Sequence, residues 1–185
     1  MTAQRVEIRR ATEADTGTLA THRVAMFRDM HSLDPRAERE LFDAAQTHIG
    51  EAMASGEYVA WLAYLPDESG RIVGGTGVQL RRLLPRPGDG GARVLVGREG
   101  IVLNMYVAHE FRRRGVARRL MEQILAWIPG TDVVRLVLHA SDDGRPLYES
   151  MGFEPTNEMS YRGRMLSEKG TAGSNSSALD AAPEP

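Results

Sequence analysis

The segment from residue 100 to residue 127 constrains the fold of this chain more than any other part. Residues 100–107 (GIVLNMYV) are almost wholly apolar, which predicts a strand covered on both faces. Residues 116–127 then place apolar side chains at helical spacing, and Pro129-Gly130 ends that helix. A second apolar run follows at 133–139. The order strand, turn, helix, strand predicts a βαβ unit with a ligand at the carboxyl end of its first strand.

The turn between that strand and helix is basic and contains one glycine. The helix N-terminus exposes N–H groups without intrahelical partners and carries the positive end of the helix dipole, so it favours an anion. Gly115 lacks the Cβ that would hold a phosphate away, and Ala117 is also small. The surrounding arginines are Arg112, Arg113, Arg114 and Arg118. The turn is therefore a candidate phosphate site, although basic helix starts are also common on solvated surfaces.

Three segments resemble the GNAT acetyltransferase superfamily. Residues 112–117 (RRRGVA) match its Gln/Arg-x-x-Gly-x-Gly/Ala signature, and residues 144–155 (GRPLYESMGFEP) resemble its closing segment. Residues 8–15 (IRRATEAD) resemble its first strand and helix start. These segments have the order and spacing of the family and cover most of residues 5–165. The chain thus resembles a bacterial-type general member of this superfamily.

The resemblance implies an α/β fold, with a twisted mixed sheet of about six to seven strands and helices on both faces. It also implies a splay between the fourth and fifth strands, here the strand ending near Val107 and the strand at 133–139. We expect one domain over 1–166, with a last strand at 159–166, and a disordered tail over the small, polar residues 167–185. The loop at 85–97 is expected to cover the site as a lid.

The resemblance also implies acetyl-CoA as the acetyl donor, with its pyrophosphate on the basic turn. Its pantetheine arm would pair with the splayed strand, and the N–H at the end of that strand would face the thioester carbonyl. The implied cofactor-binding residues are Tyr106, Val107, Arg112, Arg113, Arg114, Gly115, Val116, Ala117, Arg118, Ser141, Gly144 and Tyr148. Ser141 and Gly144 depart from the asparagine and alanine that many family members carry there, which puts the detail of that contact in doubt.

The implied reaction is transfer of acetyl to a primary amine of a small molecule or peptide, by direct attack in a ternary complex. Tyr148 matches the family's tyrosine that points at the CoA sulfur, and is the candidate proton donor to the thiolate. The alternative function is a catalytically silent CoA-binding sensor or interaction module. A retained Tyr148 favours the enzyme.

A proton must also leave the amine, because alkylamines have a pKa of about 10 and are protonated at neutral pH. Asn104 is the only polar side chain within its apolar strand, and could orient the acceptor or a water molecule. Glu99, at the entrance of that strand, could act as a base through water, with Glu158 and His139 as rivals. The acceptor is expected beside the first two helices. Its candidate contacts are His22, Phe27, Met30, His31, Trp61, Tyr64 and Gln79.

Composition narrows the function further. The net charge of −2 argues against a nucleic-acid-binding domain, whose basic excess should be larger. The chain has no cysteine, and its five histidines show no ligand spacing, so no metal is expected. The sequence shows neither an apolar signal core nor a stretch of membrane-spanning length, which predicts a cytoplasmic protein without membrane contact. The resemblance is also compatible with a homodimer, because homodimers are frequent in that family.

Overall fold

The computed structural model describes residues 5–161, apart from the side chain of Asp89. The strands are β1 (Glu7–Arg10), β2 (Tyr58–Leu65), β3 (Arg71–Arg82), β4 (Arg86–Gly88), β5 (Arg93–Leu95), β6 (Arg98–Val107) and β7 (Val133–Leu138). The helices are α1 (Thr16–Met30), α2 (Pro35–Ala54), α3 (Val116–Trp127) and α4 (Arg145–Glu149).

Five of the strands form one mixed sheet in the order β1-β2-β3-β6-β7. All neighbouring strands in it are antiparallel except β6 and β7, which are parallel. The predicted α/β class is therefore confirmed, and the βαβ unit is β6-α3-β7. Of the expected last strand, residues 159–161 are not in a strand, whereas 162–166 lie outside the described residues, as does the tail at 167–185.

The side chains of β2 alternate between the two faces of the sheet, so each face has its own core. Val59, Trp61 and Ala63 pack with the buried face of α3, whereas Ala60 and Leu62 pack with α1 and α2. The helices therefore cover both faces, as predicted. None of the helices in residues 5–161 is long and apolar enough to cross a membrane.

The segment expected to act as a lid is a separate β-hairpin, formed by β4 and β5. It connects Arg82 to Arg98, two residues that are paired in register at the start of β6. Because β6 ends at Val107, the hairpin leaves the sheet at the opposite end from the expected cofactor site. Residues 85–97 thus form a hairpin where glycine and proline content predicts a loop, and their role as a lid over the acceptor stays a prediction.

Candidate active site

The splay expected between two strands is formed by β6 and β7. Their parallel pairing ends where Val102 lies opposite Leu138, the last residue of β7. Strand β6 continues for five more residues, and no described strand pairs with that edge of residues 103–107. Backbone N–H and C=O groups on this edge consequently face an open groove and need partners.

Val107 directs its backbone N–H into this groove. The next N–H, of Ala108, donates to the Val73 carbonyl of β3 over 2.9 Å. Because successive residues of a strand direct their backbone groups to opposite sides, the Val107 groups point away from β3. The Val107 carbonyl accepts from Arg112, which leaves its N–H as the donor. Tyr106, opposite Gly75, turns its backbone groups towards β3, so its expected main-chain contact with the cofactor does not fit this register.

A β-bulge in β6 lies beside the groove. The register passes from Gly75 opposite Tyr106 to Gly77 opposite Leu103, so that two residues of β6 oppose one of β3. Asn104 has a φ of 60°, in the left-handed region that residues other than glycine rarely adopt. Its buried amide donates from Nδ2 to the Leu19 carbonyl of α1 over 2.9 Å. Asn104 therefore joins the bulge to α1.

Two glycines of β3 make room for polar rings beneath α1. A Cβ on Gly77 would lie 2.0 Å from the Tyr58 hydroxyl oxygen, and one on Gly75 would lie 2.9 Å from Nδ1 of His22. Only glycine fits at Gly77, because no side-chain atom can approach a ring so closely. The glycine run at 74–77, which predicts a bulge or a close approach, provides both.

His22, Tyr58 and Asn104 form a buried polar cluster between α1 and the sheet. His22 Nδ1, the Tyr58 hydroxyl and Asn104 Oδ1 have no hydrogen-bond partner among the described residues. Burial lowers the pKa of His22 to about 4 and raises the pKa of Tyr58, so both are uncharged at neutral pH. The His22 ring centroid lies 4.9 Å from that of Tyr106, which places the cluster one residue from Val107.

The basic turn has the geometry of an anion site. Gly115 caps α3 with a φ of 79°, and no side chain caps the first turn of this helix. A Cβ on Gly115 would meet nothing within 4 Å, so no other part of the protein crowds this position at the start of α3. These N–H groups have no partner within the helix and can bind an anion together.

The four arginines of this turn have different partners. Arg112 donates to the Val107 carbonyl and pairs with Asp29 of α1. Arg118 donates to the Ser150 hydroxyl over 2.7 Å, and Arg114 lies 5.5 Å from the ring centroid of Phe111. Arg113 is exposed and has no ion pair within residues 5–161. Arg112 and Arg118 thus also bind protein groups, whereas Arg113 and Arg114 have no hydrogen bond within residues 5–161; that the four bind phosphate stays a prediction.

Helix α4 presents Tyr148 on the same side of the sheet as α3. The Ser141 hydroxyl accepts from the N–H of Gly144, the residue that precedes α4, over 3.2 Å. A Cβ on Gly144 would lie 3.1 Å from the Tyr148 ring, so glycine lets that ring pack closely. Tyr148 packs edge-on against Phe153, and burial raises the pKa of its hydroxyl.

Tyr148 also lines a cavity of about 340 Å³ beside β7 and α4. His139 and Glu158 line the same cavity, with His139 Nε2 3.6 Å from the Glu158 carboxylate. This cavity includes neither the basic turn nor residues 103–107.

Glu99 is fully buried in the paired half of the sheet. Its carboxylate accepts from Arg81 Nε of β3 over 2.6 Å and lies 3.2 Å from Arg135 Nη1 of β7. It lies five residues before Asn104 and is thus remote from the end of β6. Two arginines occupy this carboxylate, so its position does not suit a general base.

Comparison with known proteins points to one family. Residues 56–155 match the family model described as the acetyltransferase (GNAT) domain. A search of curated proteins found no match. Among solved structures, a GCN5-related N-acetyltransferase from Ralstonia eutropha is 30% identical, with a TM-score of 0.72 over 85% of this chain and 97% of that one.

Two further structures show the likeness of the fold. A predicted acetyltransferase with acetyl-CoA from Clostridium acetobutylicum is 22% identical, with a TM-score of 0.69, over 85% of this chain and 95% of that one. AAC(6')-Iy in complex with the bisubstrate analogue CoA-S-monomethyl-acetylneamine is 18% identical, with a TM-score of 0.60, over 87% of this chain and 99% of that one.

Proposed function

The chain belongs to the GNAT acetyltransferase family, and from that premise we propose that it transfers acetyl from acetyl-CoA to a primary amine of a small molecule or peptide. Family membership establishes acetyl-CoA-dependent acetylation in general. The observation that carries the proposal is the open edge of β6, where the Val107 N–H faces the groove between β6 and β7. The amine attacks directly, with both substrates bound.

The described residues fit the donor at two places. The open edge of β6 at 103–107 offers hydrogen-bonding groups to the amides of a pantetheine arm, as an added strand would. The N–H groups at the start of α3, with Arg113 and Arg114 beside them, fit a pyrophosphate, because the space at Gly115 is open. Val116 and Ala117 contribute to the same turn through their backbone.

Two groups of the chain act on the reacting atoms in this proposal. The thioester supplies an activated acetyl group. The Val107 N–H donates to its carbonyl oxygen and stabilises the negative charge that develops there when the amine attacks. As the C–N bond forms and the C–S bond breaks, Tyr148 gives a proton to the leaving thiolate. The raised pKa of Tyr148 keeps this phenol protonated before transfer.

The proton lost from the amine goes to water in this proposal. Glu99 is held between Arg81 and Arg135, so we assign it a structural role instead of the catalytic one expected. Asn104 cannot accept a proton, and its role is to hold the bulge against α1. His139 and Glu158 lie 3.6 Å apart and line one cavity with Tyr148, and this proposal assigns neither of them a proton transfer.

The test is calorimetric titration with acetyl-CoA, followed by a screen of amines for CoA release. Because the chain has no cysteine, a thiol-reactive dye reports free CoA alone. Micromolar binding with amine-dependent release would support the proposal. Binding without release for any amine would favour the silent CoA-binding module. No binding at millimolar acetyl-CoA would contradict both.

A further inference from the structure

We propose that the acceptor amine also carries an anionic group, a carboxylate or a phosphate, and that Arg23 binds it. This inference rests on the proposed function, because it names the substrate class of the same site. Sequence reasoning did not select Arg23, since nothing distinguishes one arginine of an amphipathic helix from its neighbours before their partners are known.

Arg23 lies on the inner face of α1 and is nevertheless not buried there. Leu19, which is fully buried, marks that face, and Arg23 and Phe27 follow it at intervals of four residues. Both are only partly buried, whereas Leu19 and Ala20 have no exposed surface. The second half of α1 therefore carries a cation and an aromatic ring that the rest of the fold leaves partly accessible.

Arg23 lies near side chains that adjoin the bulge in β6. Its guanidinium carbon lies 5.0 Å from the ring centroid of Phe27. Its charge acts on the Tyr58 hydroxyl, where it offsets part of the effect of burial on the pKa. Arg23 thus lies beside the buried polar cluster and close to the groove in which the acetyl group is expected.

Arg23 has no counterion, in contrast to the arginines around it. Arg28 pairs with Glu38 over 2.7 Å, and Arg36 pairs with Glu40 over the same distance. Within residues 5–161 no carboxylate or hydrogen-bond acceptor pairs with Arg23. Apart from its contact with the Phe27 ring, this partly buried guanidinium has no counterion, and an anionic ligand would supply one.

The polar residues beside Arg23 carry no negative charge that would repel an anion. His22 and Tyr58 are neutral, and Tyr106 stacks on His22. Asp29, six residues after Arg23 on α1, is engaged by Arg112 and by His109. The site therefore favours an amine with a negative group over a polyamine, whose additional ammonium groups would face Arg23.

Two matched pairs of amines test this inference, and each pair differs in one anionic group. They are glucosamine 6-phosphate with glucosamine, and phenylalanine with phenylalaninamide. Their binding to the CoA-saturated protein is measured by calorimetry, and acetyl transfer by CoA release. We expect the wild type to bind the anionic member of at least one pair about tenfold more tightly, a difference typical of one charge-assisted contact. A preference in only one pair identifies the anion as phosphate or carboxylate.

Three variants make the test specific. Arg23→Gln should abolish the preference and leave acetyl-CoA affinity unchanged, and Arg23→Lys should keep part of it. Arg36→Gln, an exposed arginine of α2, should behave as the wild type. Circular dichroism verifies that each variant is folded.

Four outcomes would overturn the inference. They are equal binding within both pairs, binding of no anionic member, a preference that survives Arg23→Gln, and weaker acetyl-CoA binding in Arg23→Gln, which would assign the arginine to the donor. All four presuppose a wild type that binds acetyl-CoA. A wild type that does not bind it would contradict the proposed function, and this inference with it.

Discussion

Arg112 donates from its guanidinium Nε to the carbonyl oxygen of Val107 over 2.9 Å. The same guanidinium pairs with Asp29 near the end of α1, and His109 Nε2 lies 3.2 Å from that carboxylate. One arginine thus ties the last residue of β6 to the helix that covers it. Because it occupies the carbonyl, it also leaves the Val107 N–H as the group directed into the groove.

This pair predicts that Arg112→Gln lowers kcat more than it weakens acetyl-CoA binding. A shift of the Val107 N–H by a fraction of an ångström misplaces the donor to the oxyanion, and we expect a loss of about tenfold in kcat. Asp29→Asn should act through the same contact, so the double variant should lose little more than Arg112→Gln alone. Steady-state kinetics and calorimetry of the three variants measure this.

Arg113→Gln is the matched control for that experiment. Arg113 is exposed and unpaired among the described residues, so its removal should weaken acetyl-CoA binding in a salt-dependent way and leave kcat almost unchanged. If Arg112→Gln behaves in this same manner, Arg112 is a phosphate ligand and not a positioning residue.

Gly115→Glu should abolish acetyl-CoA binding. The new side chain places bulk and negative charge in front of the N–H groups of α3, where the pyrophosphate is expected. Gly56→Glu is a matched control, because Gly56 also has a positive φ and open space around it, and it lies at the far end of the sheet. Calorimetry should show loss of binding only for Gly115→Glu. Unaltered affinity in that variant would show that the phosphate lies elsewhere.

The sequence predicts the backbone of this site much better than its side chains. The apolar run, the glycine and the helical stripe predict β6, the turn and α3 to within two residues. Their signals are local, since strand formation, a positive φ and helical periodicity each depend on nearby residues. The partners of the arginines are not local: Arg112 reaches Asp29, 83 residues earlier in the chain. In the sequence, the four arginines of the basic turn therefore predict one charged cluster, although in the structure their partners differ.

Non-local contacts also explain the other differences. Glu99 lies at the entrance of β6, and only the pairing of three strands reveals that Arg81 and Arg135 flank it. Asn104 is recognisable as the polar residue of an apolar strand, but its left-handed φ follows from the bulge opposite β3. The splay forms because β7 ends while β6 continues, and this difference depends on how the strands pair in the sheet.

Tyr148→Phe should leave acetyl-CoA affinity nearly intact and lower kcat by about 100-fold, as loss of a general acid does. The ring still packs against Phe153, so the fold should be retained. Tyr161→Phe is the control, because Tyr161 is an exposed tyrosine of the described chain. Single-turnover CoA release separates the chemical step from binding. An undiminished rate in Tyr148→Phe would assign protonation of the thiolate to another group or to water.

Glu99→Gln should reduce stability and leave the pH dependence of kcat/KM unchanged. The variant removes a buried charge that binds Arg81 and Arg135, which we expect to lower the free energy of unfolding by about 1–3 kcal/mol. Glu40→Gln, which breaks an exposed pair with Arg36, should cost less than about 0.5 kcal/mol. Urea unfolding and pH–rate profiles measure both effects. Loss of the low-pH limb of the profile in Glu99→Gln, where a general base gains its proton, would restore this carboxylate as the general base.

His22 should make the protein less stable as the pH falls from about 6.5 to about 4. Burial lowers the pKa of His22 in the folded state to about 4, whereas an unfolded histidine titrates near 6.5. Between these values the unfolded state binds a proton that the folded state does not, so protonation favours unfolding, by up to about 3 kcal/mol. Stability is fully present above the unfolded pKa and declines below it.

His22→Asn should flatten this part of the stability curve, and His48→Asn, at an exposed position of α2, should not. Urea unfolding at pH 4 to 7 measures the effect. Asp15 does not obscure it: hydrogen bonding to Arg9 lowers the pKa of Asp15 to about 2, so its contribution is present above about pH 4 and lost below that. A wild-type curve that is already flat between pH 7 and 4 would mean that the His22 ring is accessible to solvent, and that the polar cluster beneath α1 is open and not buried.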